Sequence, residues 1–501
     1  MSQQHDSASA DIAKRDAHQL RRGSLGVFGI AFFVISAAAP LTAMAGGAPV
    51  AMLLGNGPGI PLAYVVVSVI LLIFAVGYTT MARHHTSTGA FYSFVARGLR
   101  QPSGGAAALI ALLGYNAMQI GLYGLFGAAA AGFFADNLGI TIPWWVFVFV
   151  AMAIIAVLGY RQVDLSVKVL SILVSLEFLI VLILDIAILI KGGQGGTAPL
   201  TAAPFTWSAF TSGSIAIALL FNFASFIGFE ATTIYSEEAR DPKRTVPRAT
   251  FVAVLTIGLF YTVTTYLMVE GQGAAGLQEY LAGLTPDPTV FLFQLGATYI
   301  GTALTTVMSL LFISSVFAAL LAFHNAVARY LFALGREGLV PAQLGRTHSV
   351  HLSPHMGSLS QSVLAFVIVL IFVVTGQDPV LALFTWLTQL GTLAIIVLMS
   401  LASVAVVAFF ARHRELESNP LRTLVAPIVG GLAMAAVAVY AASQFGLLIG
   451  NPESPLRWIL PALIVVAAVA GVITAVTLKG RSPELYAQMG RHRDIDLQPG
   501  A

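Results

Sequence analysis

Stretches of about 20 consecutive apolar residues recur from one end of this 501-residue chain to the other, and they limit its possible folds more than any other feature. A helix of about 20 residues crosses the hydrocarbon core of a bilayer. Because 57% of the residues are hydrophobic and only 9% are charged, the composition does not fit a soluble domain of this length. The sequence therefore predicts an all-α integral membrane protein.

Twelve apolar runs are long enough to cross the bilayer as helices, and the longer ones would tilt to fit. A stretch of mixed polarity before the third run, 88–100, is expected to lie along the interface. Predicted spans 1 to 12 cover, approximately, residues 26–52, 59–82, 105–133, 143–160, 165–190, 214–235, 247–269, 298–330, 358–375, 380–408, 424–448 and 457–477.

Lysine and arginine test this assignment, because cytoplasmic loops carry an excess of both. With twelve spans and the N-terminus in the cytoplasm, 23 of the 25 basic residues fall in inside segments, and only Lys191 and Arg457 fall outside. A wrong number of spans would destroy this alternation. We therefore predict a multi-pass protein of the cell membrane with both termini in the cytoplasm. The polar residues 1–24 are expected to form a tail, since they lack the apolar core of a signal peptide.

The segment 214–247 carries an unusual combination of apolar and charged residues, because Glu230 lies well inside its apolar part. A charge at the bilayer centre costs about 2.5 to 3.5 kcal/mol even on the mildest scale, so such a residue is functional by default. Asn222, Ser225 and Gly228 interrupt the apolar pattern beside it. We expect a broken helix that exposes backbone groups to a small polar ligand. The alternative is a continuous helix whose Glu230 bonds a neighbouring helix.

Span 1 contains a similar interruption. Pro40 stands within a run of small residues, 36–42, and Gly46 and Gly47 follow. Proline removes a backbone donor and clashes with the preceding turn, so the helix is expected to kink or unwind there. A face of small residues that packs against another helix is the alternative. Two interrupted segments in corresponding positions of two halves are a pointer to a binding site.

Two motifs resemble those of the amino acid/polyamine/organocation (APC) permeases. They are SFIGFEATTIYSEEARDPKRTVPRAT at 225–250 and ARYLFALGREGLVP at 328–341. The resemblance implies the leucine-transporter fold, with spans 1–5 and 6–10 as inverted repeats, broken helices 1 and 6, and two peripheral helices. The implied division is a tail at 1–24, a first repeat at 25–191, an outer loop at 192–213, a second repeat at 214–408, spans 11 and 12 at 409–478, and a tail at 479–501.

The resemblance also implies where an amino acid would bind. In the family, the breaks of spans 1 and 6 hold the substrate, with its carboxylate at the positive N-terminal end of a half-helix and its ammonium at backbone carbonyls. The residues of this sequence at those positions are Ser36, Ala37, Ala38, Ala39 and Pro40, together with Phe223, Ala224, Ser225, Phe226, Ile227 and Gly228.

Glu177, in span 5, is a second intramembrane carboxylate. By its spacing from Lys168, it falls at or near a position where proton-coupled relatives have a lysine in place of bound sodium. Glu230 matches a glutamate that resembles the proton-sensing gate of relatives. The resemblance thus implies coupling and gating roles for Glu177 and Glu230. Coordination of sodium by Glu177, or a hydrogen bond without a transport role, are the alternatives.

Further polar residues on spans 3, 8 and 10 are candidates for the sides of the pocket. On span 3, Tyr115, Gln119 and Tyr123 share one helix face because they are spaced by four residues. Polar stripes in membrane helices usually face the bundle interior. The full set of candidates is Tyr115, Asn116, Gln119, Tyr123, Ser314, Ser315, Thr385, Trp386 and Gln389.

The sequence as a whole predicts a secondary-active permease that imports an amino acid or related amine by alternating access, with a proton preferred to sodium as the coupling ion. Exchange and sodium symport are alternatives, and a transport-fold receptor is a possibility of another class. A membrane-embedded enzyme is disfavoured, since the chain has no cysteine and only His324 among its histidines lies inside a span. No metal site, cofactor or nucleic-acid partner is predicted, and the oligomeric state is not predicted.

Overall fold

The computed structural model describes residues 26–84, 90–161, 167–230, 232, 241–348 and 353–490, and the regular secondary structure of these ranges is helical, as predicted. We number the α-helices in chain order. They are α1 Val27–Ala37, α2 Ala48–Leu54, α3 Ile60–His84, α4 Ala90–Leu99, α5 Gln101–Leu138, α6 Trp144–Tyr160, α7 Val167–Lys191, α8 Trp207–Phe210, α9 Ile215–Ala224, α10 Pro242–Gln272, α11 Leu277–Gly283, α12 Phe291–Tyr299, α13 Thr302–Arg336, α14 His355–Val374, α15 Thr385–Arg412, α16 Ala426–Ser443, α17 Phe445–Ile449, α18 Leu456–Arg481 and α19 Pro483–Gln488.

Within the described ranges, nine helical segments are long and apolar enough to cross a bilayer, which confirms a multi-pass membrane protein. Three further apolar segments are shorter, and they coincide with predicted spans 1, 4 and 6. These segments are Thr42–Leu54, Trp144–Tyr160 and Ile215–Ala224. In spans 1 and 6 the length is lost because the helix is interrupted. The total of twelve spans stays a prediction.

The long helix α5 runs through the centre of the bundle, where it contacts α13, α15 and α18. A second extensive contact joins α3 to α10, and α1 and α9 pack against this pair. Helices α1, α2 and α9, which carry the two interruptions, are therefore surrounded by longer helices. Most side chains of α5 and α15 are buried for the same reason.

Small residues set how closely α5 approaches its neighbours. A methyl carbon added at Gly105 would lie 2.3 Å from the carbonyl oxygen of Gly471 on α18, and one at Gly471 would lie 2.2 Å from the carbonyl oxygen of Gly105. Close approach of backbones through glycine is a principal source of helix association in membranes. Predicted span 12 is thus attached to the bundle by a glycine-to-glycine contact.

One end of the bundle collects basic side chains, and we call it the basic end. The last turns of α3, α13, α15 and α18 all contain arginine. At this end Arg412 of α15 donates a hydrogen bond to the carbonyl oxygen of Gly98 in α4. Tyr92 of α4 donates to Glu337, which follows α13. Helix α4 therefore lies across the basic end and ties the two long helices together.

Glu337 belongs to the second sequence motif and is only 3% exposed. Its carboxylate accepts the hydrogen bond from Tyr92, whose ring also contacts that of Tyr330. Burial raises the pKa of Glu337 to about 7, although the hydrogen bond from Tyr92 opposes the shift. Glu337 lies outside the membrane spans, and its carboxyl group therefore changes charge near neutral pH.

We expect Gly105→Ala to lower the stability of the protein by about 1 to 3 kcal/mol, because the new methyl group forces α5 and α18 apart. Gly132→Ala on the same helix is the matched control, since no atom lies within 4 Å of a carbon added there. Thermal unfolding of the two purified variants measures the difference. Equal midpoints would show that the close contact does not hold α18.

The raised pKa of Glu337 predicts that stability falls as pH rises. Because the folded protein binds this proton more tightly than the unfolded chain, the contribution is full below the unfolded pKa near 4.5 and is lost as pH passes about 7. We expect a loss on the order of 2 kcal/mol between pH 5 and pH 8, measured by thermal unfolding. Glu337→Gln should remove this part of the pH dependence, and an unchanged profile in that variant would contradict the assignment.

Candidate functional site

The first interruption separates α1 from the helix that continues predicted span 1. Helix α1 ends at Ala37, Ala39 has a positive φ of 44°, and a π-helical turn at Thr42–Gly47 leads into α2. Two freed backbone groups find partners on other helices. Tyr261 of α10 donates to the carbonyl oxygen of Ala38 at 3.2 Å, and the amide of Leu41 donates to the Glu177 carboxylate of α7 at 3.4 Å. The interruption expected at Pro40 is present and is stabilised from outside.

The second interruption follows α9. That helix begins with Ser214 as its N-cap and ends at Ala224, and a series of turns follows up to residue 230. Gly228 has a φ of 113°, a conformation that a residue with a side chain rarely adopts. Tyr64 of α3 exchanges a hydrogen bond of 2.9 Å with the hydroxyl of Ser225. The charged segment after the break, 233–240, lies outside the described residues.

The two interruptions face a cavity of about 60 Å³, which has room for roughly four to six water molecules. Its walls come from both breaks and from α5, α13 and the start of α15, and none of the lining side chains is charged. The lining residues are Ala38, Ala39, Thr42, Ala43, Gly47, Met118, Leu122, Phe221, Ala224, Ser225, Ile227, Ala319, Phe323, Phe384, Thr388 and Gln389.

The predicted break residues divide into those that line the cavity and those that do not. Ala38, Ala39, Ala224, Ser225 and Ile227 line it. The others lie in or beside the breaks without lining it: Pro40 and Phe223 are buried, Phe226 packs against Tyr64 and Tyr261, and Gly228 binds the Glu230 carboxylate through its amide. Ser36 and Ala37 close α1, and their side chains lie outside the described set.

Of the other pocket candidates, Gln389 lines the cavity and the rest form contacts elsewhere. Most of their hydrogen-bond partners lie in the same helix or turn, or on another segment at a position that does not line the cavity. Asn116 donates to Leu112, Gln119 contacts Tyr123 and His324, Ser314 donates to Leu311, Ser315 donates to Glu177, Thr385 donates to Val380, Trp386 donates to Leu448, and Tyr115 donates to Glu230.

Most of the lining residues that the sequence analysis missed are apolar or very small. On α5, Met118 and Leu122 reach the cavity, on a face different from the polar stripe of Tyr115, Gln119 and Tyr123. The choice of polar side chains excluded this neighbouring face from the prediction. The spacing of four residues between Met118 and Leu122 indicates that they share a face. Only the position of the neighbouring helices shows that this face lines the cavity.

Glu177 is connected to the cavity by a chain of hydroxyl groups. Its carboxylate accepts a hydrogen bond from Ser315 of α13 at 2.7 Å, and Ser315 exchanges one with Thr42 at 2.9 Å. Thr42 lines the cavity, whereas Glu177 does not and is only 2% exposed. No basic side chain among the described residues pairs with this carboxylate. An ionised Glu177 would therefore be a buried charge that needs a cation or a proton for neutralisation.

Glu230 closes the second interruption and contacts two other helices. One carboxylate oxygen accepts from Tyr115 of α5 at 2.8 Å, and the other accepts from the amide of Gly228 at 2.8 Å. Its carbonyl oxygen accepts from Tyr78 of α3 at 3.1 Å. Glu230 does bond a neighbouring helix, but it does so at a break and not within a continuous helix. Glu230 therefore links α3 and α5 to the break.

Among the described residues, no group of three or more histidine or carboxylate side chains is placed to hold a metal ion. The chemistry available at the site is thus hydrogen bonding from freed backbone groups, a few hydroxyl and amide side chains, and a carboxylate reached through Ser315. This arrangement suits reversible binding of a small molecule.

A family model described as amino acid permease matches residues 25–469. Three curated proteins are similar over most of their length. The low-affinity putrescine importer PlaP of Escherichia coli (strain K12) is 24% identical over 394 residues, 76% of this chain and 80% of that protein. The branched-chain amino acid permease BcaP of Bacillus subtilis (strain 168) is 24% identical over 401 residues, which are 75% of this chain and 79% of that protein. The histidine permease HisP of Lactococcus lactis subsp. cremoris (strain MG1363) is 25% identical over 408 residues, which are 76% of this chain and 81% of that protein.

A solved structure has the same fold. The crystal structure of a mutant of the Eremococcus coleocola manganese transporter superposes with a TM-score of 0.54 and 13% sequence identity. The match covers 94% of this chain and 98% of that one. At this level of identity the likeness establishes the fold and says nothing about the substrate.

We expect Ser315→Ala to lower the stability of the protein by about 1 to 3 kcal/mol, because it removes the short hydrogen bond to the buried Glu177 carboxylate. Ser314→Ala is the matched control, since the neighbouring hydroxyl donates only to Leu311 of its own helix. The thermal unfolding midpoints of the two variants give the comparison. If Ser314→Ala destabilises as much as Ser315→Ala, the bond to Glu177 does not secure this part of the site.

Proposed function

This chain is a member of the amino acid permease family, and we propose that it imports a neutral amino acid with an apolar side chain by proton-coupled alternating access. Membership rests on a family match from residue 25 to residue 469. It also identifies the chain as a transporter and not an enzyme, because the relatives named above are permeases and importers. The observation that carries the substrate class is the cavity between the two breaks, which has no charged lining residue.

The polarity of the cavity favours a neutral side chain. Its hydroxyl and amide groups, on Thr42, Ser225, Thr388 and Gln389, are suited to the polar end of an amino acid. The remaining walls are alanine, methionine, leucine, isoleucine and phenylalanine side chains. A cationic side chain would lose its hydration against these walls without a countercharge, which is costly. The small volume favours a compact substrate.

A second candidate substrate is a small diamine or a cationic amino acid. One observation favours it: the Glu177 carboxylate is only two hydrogen bonds from the cavity, through Ser315 and Thr42. A relative of this chain is named a putrescine importer. In this case Glu177 would pair with the substrate and would not be available to carry a coupling proton. The two candidates therefore make different predictions about one residue.

Proton coupling is proposed from the position of Glu177. The carboxylate touches the first break, since the Leu41 amide donates to it, and it also touches α13 through Ser315. Neutralisation by a proton would weaken the bond to the break, and ionisation would strengthen it. The proton would thereby favour one arrangement of the break over the other. Exchange of substrates and sodium coupling remain the alternatives within the same family.

The packing of the helices supports the proposal that residues 25–191 and 214–408 are inverted repeats. Predicted span 2 packs on span 7, and each also packs against the broken span of the other half. The contact of α5 with α15 has a counterpart in the contact of α13 with α7. The ring centroids of Tyr64 and Tyr261 lie 5.5 Å apart, and each tyrosine forms a hydrogen bond with the break of the other half. Motion of one half against the other would open the cavity alternately to each side.

The proposed orientation places the basic end in the cytoplasm. The last turns that contain arginine gather at this end. The opposite end of the long helices carries Lys191 in the last turn of α7. Anionic lipids and the positive-inside rule both favour a cytoplasmic location for the end with more basic residues.

We expect proteoliposomes to accumulate radiolabelled alanine, valine or leucine in sodium-free buffer when an inward proton gradient is imposed. One pH unit of gradient supports about tenfold accumulation per coupled proton. Arginine and putrescine should not accumulate if the uncharged cavity selects the substrate. Uptake of the panel, with and without the gradient, is the measurement.

The coupling role is tested by Glu177→Gln, which should abolish accumulation driven by the gradient. Asp185→Asn is the matched control, because that buried carboxylate lies on the same helix but bonds Thr264 and not the break. Accumulation that requires sodium would refute proton coupling. Uptake that occurs only with internal substrate would identify an exchanger. Accumulation of putrescine that is lost in Glu177→Gln would favour the second candidate substrate.

A further inference from the structure

A second cavity, of about 250 Å³, lies at the basic end of the bundle and shares no lining residue with the central cavity. Three arginines and one histidine line it, and the lining includes no acidic residue. The lining residues are Ala96, Arg97, Arg100, Gln101, Phe409, Arg412, His413 and Met489. They come from the end of α4, the beginning of α5, the end of α15 and the segment after α19.

Arg100 stands at the junction between α4 and α5. It is the N-cap of the 38-residue α5, and its φ of 88° directs the chain sharply from one helix into the next. Its side chain is exposed and has no hydrogen-bond or ion-pair partner among the described residues. The positive end of the α5 dipole lies at the same place. A negative charge in the cavity would therefore interact with both the guanidinium and the helix end.

Arg412 brings further donors to the same cavity, and His413 lies beside it. Arg412 donates through Nε to the carbonyl oxygen of Ala408 at 2.9 Å and through Nη2 to that of Gly98. These bonds fix the guanidinium, and they leave Nη1 without a partner among the described residues. His413 stacks on Phe409 and donates from Nδ1 to its carbonyl oxygen at 3.0 Å. Because the proton of His413 is then on Nδ1, the neutral ring offers no N–H to an anion, and the donors of this wall are those of the arginines.

We propose that this cavity binds a phosphate-bearing anion. The guanidinium groups of Arg100 and Arg412 share one cavity and repel each other, and an anion between them removes the repulsion. The planar guanidinium group is matched to the geometry of phosphate oxygens, so arginine is the preferred residue for such sites. A volume of about 250 Å³ accommodates a phosphate group with part of a carrier molecule. The chemistry is shared by two sources, the headgroup of an anionic phospholipid and a soluble phosphate.

The location connects this site to the framework of the transporter. The cavity is bounded by α4, which also bonds Glu337 through Tyr92, and by Arg412 at the end of α15. Met489, which is 2% exposed, joins the segment after α18 to the same wall. A bound anion would therefore hold three separate parts of the basic end together. This effect is expected to appear as added thermal stability.

The test uses the purified full-length protein in a neutral detergent and follows the thermal unfolding midpoint. The probes are dihexanoyl phosphatidylglycerol, dihexanoyl phosphatidylcholine and inorganic phosphate, each at an ionic strength matched with chloride. We expect a saturable rise with phosphatidylglycerol and none with phosphatidylcholine. A rise with phosphatidylglycerol alone identifies a lipid headgroup as the ligand. A rise with inorganic phosphate as well shows that the phosphate group itself is recognised.

Arg100→Gln should weaken the apparent affinity for the effective probe by about tenfold or more, since one charge-assisted contact is lost. Arg346→Gln is the matched control, because this exposed arginine lies at the same end but does not line the cavity. Arg412→Gln also loses its bond to Gly98, so only the ligand-induced shift is compared there. The absence of a saturable rise with both phosphatidylglycerol and inorganic phosphate, or an equal response in Arg100→Gln and Arg346→Gln, would overturn the proposal. Transport need not be measured, so this result is independent of the proposed substrate.

Discussion

The structure depends on the need to satisfy backbone polar groups that two interrupted helices release inside an apolar bundle. A lipid environment offers these groups no water, so each must find a partner within the protein. The partners are mainly tyrosine hydroxyls and one carboxylate from neighbouring helices. Tyr261 bonds the Ala38 carbonyl, Glu177 bonds the Leu41 amide, and Tyr78 bonds the Glu230 carbonyl. The longer helices are thus required to lie where they can supply these groups, and the central cavity follows from that requirement.

Because the two intramembrane carboxylates bond to the breaks, they are separated from the central cavity. Glu177 and Glu230 each contact a break, yet neither lines the cavity. The cavity therefore presents hydroxyl, amide and backbone groups, while the carboxylates contact the breaks behind them. This arrangement allows a change in charge at a carboxylate to alter the site without placing a countercharge against the substrate. Other charged groups also lie away from the central cavity. Glu337 and Arg412, at the basic end, join helices that are far apart in the sequence.

The sequence predicted the two interruptions for physical reasons that are local, and the resemblance to a known family implied several of the residues that line the cavity. Pro40 cannot continue a helix normally, and Gly228 permits a backbone conformation that other residues avoid. The polar stripe on α5 illustrates the opposite case. Tyr115, Gln119 and Tyr123 share a face, but only the position of the other helices assigns Tyr115 to Glu230 and leaves the cavity to Met118 and Leu122. A periodic pattern identifies a face and does not identify its partner.

The sequence by itself determined that the chain is a helical membrane protein with two interrupted apolar segments, because hydrophobic length and helix-breaking residues act within one segment. Only the tertiary structure decided which side chains meet. The pairing of Ser315 with Glu177, and of Tyr92 with Glu337, joins residues more than 100 positions apart. The cavity that contains Arg100 and Arg412 likewise exists only after α4, α5 and α15 have packed. Such sites depend on distances between separate helices, which no local pattern of residues specifies.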